Sequence, residues 1–230
     1  MKQIGIIGGL GPESTIDYYK SIIEAFRTEG SLAAPEIFIY SVNIEDVLAL
    51  VSRQEWNRLV YLLVSKVMAL HRAGADFAVI SANTPHVVFD EVQAKSPIPL
   101  LSIVTATRNK TKELGLKKVG LLGTKFTMQT NFFSPQFSEQ GISVVVPSTA
   151  DQDYIHDKLM SEIERGIFTD ETKRGLLAVI ERMISSERID GVILGCTELP
   201  LILDKSEFDI PFLNTTAIHV KCIVNYMKQS

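Results

Sequence analysis

The sequence predicts an α/β fold of two similar halves, each a mostly parallel sheet flanked by helices. Three observations carry this. Short apolar runs alternate with longer amphipathic stretches along the whole chain, as in βαβ units. Several apolar runs end in glycine or small polar residues before a helical stretch opens, as parallel strands do. Three segments of the first half recur in the second half, in the same order.

Residues 2–7 read as a buried strand. The loop Gly8-Gly9-Leu10-Gly11-Pro12-Glu13-Ser14-Thr15 follows, and a helix over 16–26. Glycines at a strand's mouth let backbone N–H groups face an anion, with Ser14 and Thr15 adding hydroxyls; a plain tight turn is the alternative. The G-x-G-x-x-G spacing and a P-loop lysine are both missing, so the loop is not a nucleotide fingerprint. The next strand is read over 34–41, with short helical material after Asn43. A long amphipathic helix over 55–73 puts Leu59, Leu62, Leu63, Val67 and Leu70 on one face. Trp56 reads as core or interface, and His71 as a solvated or capping imidazole. The strand 77–81 runs into Ala82-Asn83-Thr84-Pro85-His86, where Asn83 and Thr84 suit either helix capping or substrate orientation. A short strand over 98–102 and a helix over 104–114 follow.

The pattern restarts at strand 118–123 and the loop Thr124-Lys125-Phe126-Thr127-Met128-Gln129-Thr130. A helix over 129–139, a strand over 141–146 and a helix over 151–165 follow; that helix carries His156, and Gly166 is its stop. Then come a helix over 170–186, the strand 191–195, the strand 210–214 and a last helix over 215–227. Gly120 lies 115 residues after its counterpart Gly5, Cys196 lies 114 after Ala82, and Pro211 lies 112 after Pro99. Three matches in register imply two like domains, read as 1–101 completed by 210–230, and 102–209.

Cys196 stands out. It follows a buried strand, at the strand end where open α/β sheets bind ligands. A helix N-terminus there would lower the thiol's pKa and make it a base or nucleophile. The competing role is a small residue filling core space. The repeat pairs Cys196 with position 82, and two acid/base groups on opposite faces of a ligand suit proton transfer at a stereocentre.

Composition narrows the class. The net charge is −4 with no long run of either sign, which excludes a basic footprint for nucleic acid or anionic membrane. Cys196 and Cys222 are the only cysteines, so a disulfide framework is not expected and a reducing cytoplasm fits. The apolar start is too short for a signal peptide, and no stretch is long enough to span a bilayer. His86 and His219 read as buried, hydrogen-bonded imidazoles, and no spacing suggests a metal site. A homodimer is the expected assembly.

The stretches Gly8-Gly9-Leu10-Gly11-Pro12-Glu13-Ser14-Thr15, Asn83-Thr84-Pro85-His86, Leu122-Gly123-Thr124-Lys125-Phe126-Thr127-Met128, Gly195-Cys196-Thr197-Glu198 and Ile218-His219 together resemble the aspartate/glutamate racemase family, in its aspartate-racemase branch. The resemblance implies two Rossmann-like domains with the active site in the cleft between them. It implies racemisation without pyridoxal phosphate, other cofactor or metal, through two acid/base residues that are usually both cysteine. Cys196 matches the second. The first falls at position 82, where this chain has Ala82. By resemblance, Asn83, Thr84, Thr124, Thr127 and Thr197, with Gly9 of the glycine loop, bind the substrate's α-carboxylate and amino group. A cationic residue for a distal carboxylate is expected after Asn43, and none stands there; Arg165 is the candidate. Asn214 stands where the family more often has aspartate.

The expected activity is therefore amino-acid racemisation, with aspartate or glutamate as substrate. Alanine has no proton to give: either Ala82 was introduced into an otherwise normal racemase, or a water or another group, with Ser81, Thr84 or His86 able to help, serves the second face. The alternatives are one-cysteine chemistry on a small dicarboxylate, as an isomerase or decarboxylase, and a non-catalytic module that binds one.

Overall fold

The computed structural model describes residues 1–27, 34–205 and 207–229. The chain forms two compact units, Met1–Ile103 with Thr216–Ser230, and Val104–Thr215. In the first, β1 (Ile4–Gly8), α1 (Pro12–Phe26), β2 (Ile37–Ser41), α2 (Ile44–Ser52), α3 (Trp56–Ala73) and β3 (Phe77–Ile80) follow in order. A 3₁₀ turn over Thr84–Val88, then α4 (Phe89–Lys95) and β4 (Leu100–Leu101) complete it, and α5 (Ile103–Glu113) leads onward. The second holds β5 (Lys118–Leu122), α6 (Lys125–Gln129), α7 (Ser134–Ser138), β6 (Ser143–Val145) and α8 (Thr149–Ser161). A 3₁₀ turn over Ile163–Arg165, α9 (Asp170–Glu187), β7 (Gly191–Leu194), α10 (Leu199–Ile202) and β8 (Phe212–Asn214) follow it. The closing helix is α11 (Thr215–Lys228).

The predicted repeat is visible in the topology. The strand orders are β2-β1-β3-β4 and β6-β5-β7-β8, and every pairing is parallel. β1 corresponds to β5 and β3 to β7. Ala82 and Cys196 thus hold equivalent places, each two residues past its strand.

Apolar periodicity explains the packing. Leu59, Leu63, Val67 and Leu70 of α3 are buried as its stripe predicts, with Val60 in place of half-buried Leu62. Burying such a side chain contributes about 2 kcal/mol, which outweighs the few tenths by which valine lowers helix propensity. Ile4, Ile6, Phe77 and Val79 pack with Tyr18 and Ile22 of α1 and with Ile223 and Met227 of α11. Val192 and Leu194 pack with Ile155 and Leu159 of α8 and with Leu176, Val179 and Ile180 of α9.

Three expectations change. The strand read into the first domain over 210–214 pairs instead with β7, and the chain returns only at Thr216, because α11 carries the apolar face that the first core takes up. The single helix read over 129–139 is two short helices. Thr130 is extended, and Pro135 sits in the first turn of α7, where its missing N–H costs nothing. The helix read over 151–165 stops at Ser161. Glu162 leaves helical geometry, a 3₁₀ turn follows, and Gly166 ends it at φ +74°.

Candidate active site around Cys196

β7 delivers the thiol. Gly195 follows it, and its N–H donates to the Leu122 carbonyl at 2.7 Å. A Cβ there would lie 2.8 Å from Leu121 and 2.9 Å from the Leu122 oxygen, so the chain leaves the sheet through a position only glycine fits. Cys196 then closes a turn, its carbonyl accepting the Leu199 N–H at 3.2 Å. The residue is buried.

Two carboxyl groups face the sulfur. Cys196 Sγ donates to Glu198 Oε2 at 3.0 Å, and Glu164 Oε1 lies 3.7 Å away. Glu198 is buried, and its Oε2 also accepts the Thr197 hydroxyl at 2.8 Å. Glu164 sits on the 3₁₀ turn after α8; the residue is exposed, but its carboxyl turns in towards the thiol.

These neighbours decide the thiol's chemistry. Burial first, then the negative charges of Glu198 and Glu164, push the Cys196 thiol well above its ordinary pKa. The expected lowering by a helix N-terminus does not occur. The helix after Cys196 is a single four-residue turn beginning at Leu199, too short and too far along to offset desolvation and two acids. Burial of its carboxyl and the Glu198 charge raise Glu164 to about 7. The raised Cys196 thiol holds its proton at neutral pH and donates it in a hydrogen bond to Glu198 Oε2, with Glu164 Oε1 the more distant acceptor. The donor atoms of Glu164, Cys196 and Glu198 all lie within 4.8 Å of one another, a set that could also hold a cation.

Several predicted site residues cluster here. Thr124 is the N-cap of α6, accepting the Thr127 N–H at 3.3 Å. The Thr124 and Thr127 hydroxyls are 3.1 Å apart, and the Thr127 methyl packs at Gly195. Arg165 follows Glu164 and is exposed. His156 accepts the Lys125 N–H at 3.4 Å and so fixes the start of α6 to α8.

The first unit gathers the others around the end of β3. Ser14 donates to the Ser81 carbonyl at 2.9 Å, and Ser81 donates to the Ile7 carbonyl at 3.2 Å. The glycine loop is closed on itself, since the Gly9 N–H donates to Thr15 Oγ1 at 2.9 Å rather than facing an anion. Gly9 has φ +78°, and a Cβ on it would lie 2.4 Å from the Val42 oxygen, so close chain approach is what requires it. His86 Nδ1 donates to the Ala82 carbonyl at 2.9 Å, and its Nε2 accepts the Ile103 N–H at 3.3 Å. Burial pushes His86 down to about 4. His219 accepts from the Tyr18 hydroxyl at 2.8 Å and donates to the Leu101 carbonyl at 3.1 Å; burial pushes it down to about 3. Both imidazoles are structural and neutral, as expected. With Ser81 buried and His86 using both nitrogens, half-exposed Thr84 keeps the accessible hydroxyl among the side chains named for the second face.

The reading of the sequence quoted Glu198 within its motif without giving it a role, and missed Glu164. The only signal for Glu198 was a carboxylate two residues from a strand-end cysteine. Glu164 is 32 residues away and only the fold brings it in.

The family model for Asp/Glu/hydantoin racemase matches residues 7–223. The broad specificity amino-acid racemase RacX of Bacillus subtilis (strain 168) is 25% identical over 228 residues, 97% of each chain. The crystal structure of an aspartate racemase homologue from Pyrococcus horikoshii OT3 superposes with a TM-score of 0.88, at 36% identity and 100% coverage of both chains. The aspartate racemase of Picrophilus torridus shares the fold, with a TM-score of 0.73 at 24% identity, covering 98% of this chain and 95% of that one. No helix among the described residues is long and apolar enough to cross a membrane.

Proposed function

The chain belongs to the Asp/Glu/hydantoin racemase family, and we propose that it racemises a free amino acid without a cofactor, with Cys196 as one acid/base at the α-carbon. The observation that carries this is the Cys196 S–H donated to the buried Glu198 carboxylate at 3.0 Å. A thiol held protonated is a poor base alone. Glu198 can take its proton as the sulfur takes the α-proton, leaving the electron pair on the α-carbon and its carboxylate. Reversal of the same steps returns a proton.

The family resemblance assigns Thr124, Thr127, Thr197, Asn83 and Thr84 to the substrate's α-carboxylate and amino group. Gly9 contributes shape, its N–H being taken by Thr15. At position 82 a methyl group stands where the repeat calls for the second acid/base, so Thr84 or water supplies the other face. A cytoplasmic homodimer is part of the proposal, in keeping with two free cysteines. The resemblance names aspartate or glutamate as substrate, yet the side chains flanking the thiol are themselves Glu164 and Glu198.

The test is α-proton exchange in deuterated water with each enantiomer of a panel of amino acids. Exchange that is lost in Cys196→Ala supports the proposal. A chain that binds amino acids equally well with and without the thiol, and exchanges no proton, is a binding module instead. A second reading is favoured by Ala82 and the protonated thiol together: decarboxylation of a small dicarboxylate, with Cys196 protonating one face. Carbon dioxide release from such an acid, without amino-acid exchange, would select it.

A further inference from the structure

The proposed reaction leaves the substrate's side chain open, and the charges around Cys196 bear on it. The groups that act on the thiol are the carboxyls of Glu198 and Glu164, and the charge that acts on Glu164 is again that of Glu198. Their roles differ by position. Glu198 is buried, is closer to the sulfur, and already accepts from Cys196 and Thr197. Glu164 is farther from the sulfur, on a residue exposed at the margin. An α-carbon placed for proton transfer lies about 3–3.5 Å from the sulfur. A side chain extending from it towards that margin brings its distal end to Glu164.

We propose that Glu164 is the specificity-determining residue of this site, and that it selects amino acids whose side chain ends in an ammonium or guanidinium group over those ending in a carboxylate. The inference rests on the reading of Cys196 as the acid/base of an amino-acid racemase. A distal carboxylate would add a third acid to the Glu164–Glu198 pair. An ammonium or guanidinium gives Glu164 a counter-charge, and the pairing is stronger in a partly desolvated site than in open water.

The cationic residue expected for a distal carboxylate is not supplied by the positions named for it. The Asn43 side chain caps α2, accepting the Glu45 N–H at 3.1 Å. Downstream, Arg53 is exposed and lies 3.9 Å from Glu55. Arg165 follows Glu164 on a 3₁₀ turn, where successive side chains point about 120° apart. With Glu164 turned to the thiol, Arg165 points elsewhere.

The test compares the full-length wild type with Glu164→Gln and Glu164→Lys. Substrates are ornithine, lysine, arginine, methionine, aspartate and glutamate, read by α-proton exchange and by calorimetric binding of ornithine and aspartate. The wild type is expected to exchange the cationic substrates with kcat/KM about tenfold or more above the acidic ones. Glu164→Gln should lower the cationic values about tenfold, mainly through KM, with methionine as the internal reference. Glu164→Lys should move the preference towards aspartate. Preferred exchange of aspartate or glutamate by the wild type overturns the inference and leaves the racemase reading standing. An equal loss for cationic and neutral substrates in Glu164→Gln also overturns it, since the carboxylate would then read the α-ammonium or tune the thiol. Ornithine bound in a Glu164-dependent way without any exchange overturns the racemase reading and leaves the selectivity intact. Aspartate bound more tightly than ornithine overturns the selectivity whichever way exchange comes out.

Discussion

Cys196 donates its S–H to Glu198 Oε2 at 3.0 Å, inside a buried turn where the second acceptor, Glu164, is also an acid. A nearby cation would release the thiolate; these neighbours hold the proton on sulfur. The sulfur therefore depends on a carboxylate to take that proton before it can act as a base.

Glu198→Gln should separate these effects. The amide can still accept from sulfur, but it neither carries charge nor takes the proton. The exchange rate is expected to fall about a hundredfold, in the range of a lost general base. The thiol's own pKa should fall, because the Glu198 charge helps hold it up. Thiolate absorbance against pH measures the second effect. An unmoved midpoint would mean that burial and Glu164, without Glu198, set the thiol.

Much of the fold was legible because buried parallel strands are short apolar runs and because one half repeats the other. The pairing of Ala82 with Cys196 came from that repeat, and the equivalent positions after β3 and β7 are its physical counterpart. Glycine roles were less legible. Gly9 looks the same in sequence whether it cradles an anion or clears the Val42 carbonyl, and only the path of the chain after β2 decides. Glu164 was invisible because the turn that aims it begins where Glu162 leaves the helix, a break no residue type announces. The boundary at 210–214 was misread because an edge strand and the helix after it serve different cores.

Gly9→Ala should cost about 2 kcal/mol or more. The residue has φ +78°, and the new Cβ would meet a backbone oxygen that cannot step aside. The chain has one tryptophan, Trp56, at the start of α3 in the same unit. Its fluorescence in a urea titration reads the loss. A neutral substitution would contradict the loop's closure by Thr15 and Val42.

The first unit should lose stability in mild acid. His86 and His219 are pushed down to about 4 and about 3 by burial, while the unfolded chain protonates near 6.5. The unfolded state therefore binds more protons below that pH. The stability contribution is full above about 6.5 and is lost as pH falls towards 4, at up to about 1.4 kcal/mol per pH unit for each imidazole. Urea midpoints from Trp56 fluorescence between pH 7 and pH 4.5, both chosen to span about that window, should fall steeply. His219→Gln, which can keep a donor for Leu101 and an acceptor for Tyr18, should flatten the slope. An unchanged slope would assign the acid sensitivity to other groups.

Ala82→Cys tests the pairing that the repeat implies. Ala82 follows β3 as Cys196 follows β7, and its carbonyl is held by the His86 Nδ1–H, so its Cβ direction is fixed by a neutral, buried brace. With one thiol, the wild type should wash deuterium into the α-position faster than it inverts configuration, because one face is better served than the other. A thiol at position 82 should raise inversion about tenfold or more relative to exchange. Ala82→Ser is the control, since a hydroxyl without an activating base is a poor proton acceptor. Chiral chromatography of the products with mass detection of deuterium measures both rates in one sample. If Ala82→Cys binds the substrate normally and leaves the ratio of inversion to exchange unchanged, position 82 does not serve the second face, and Thr84 or water becomes the group to test there.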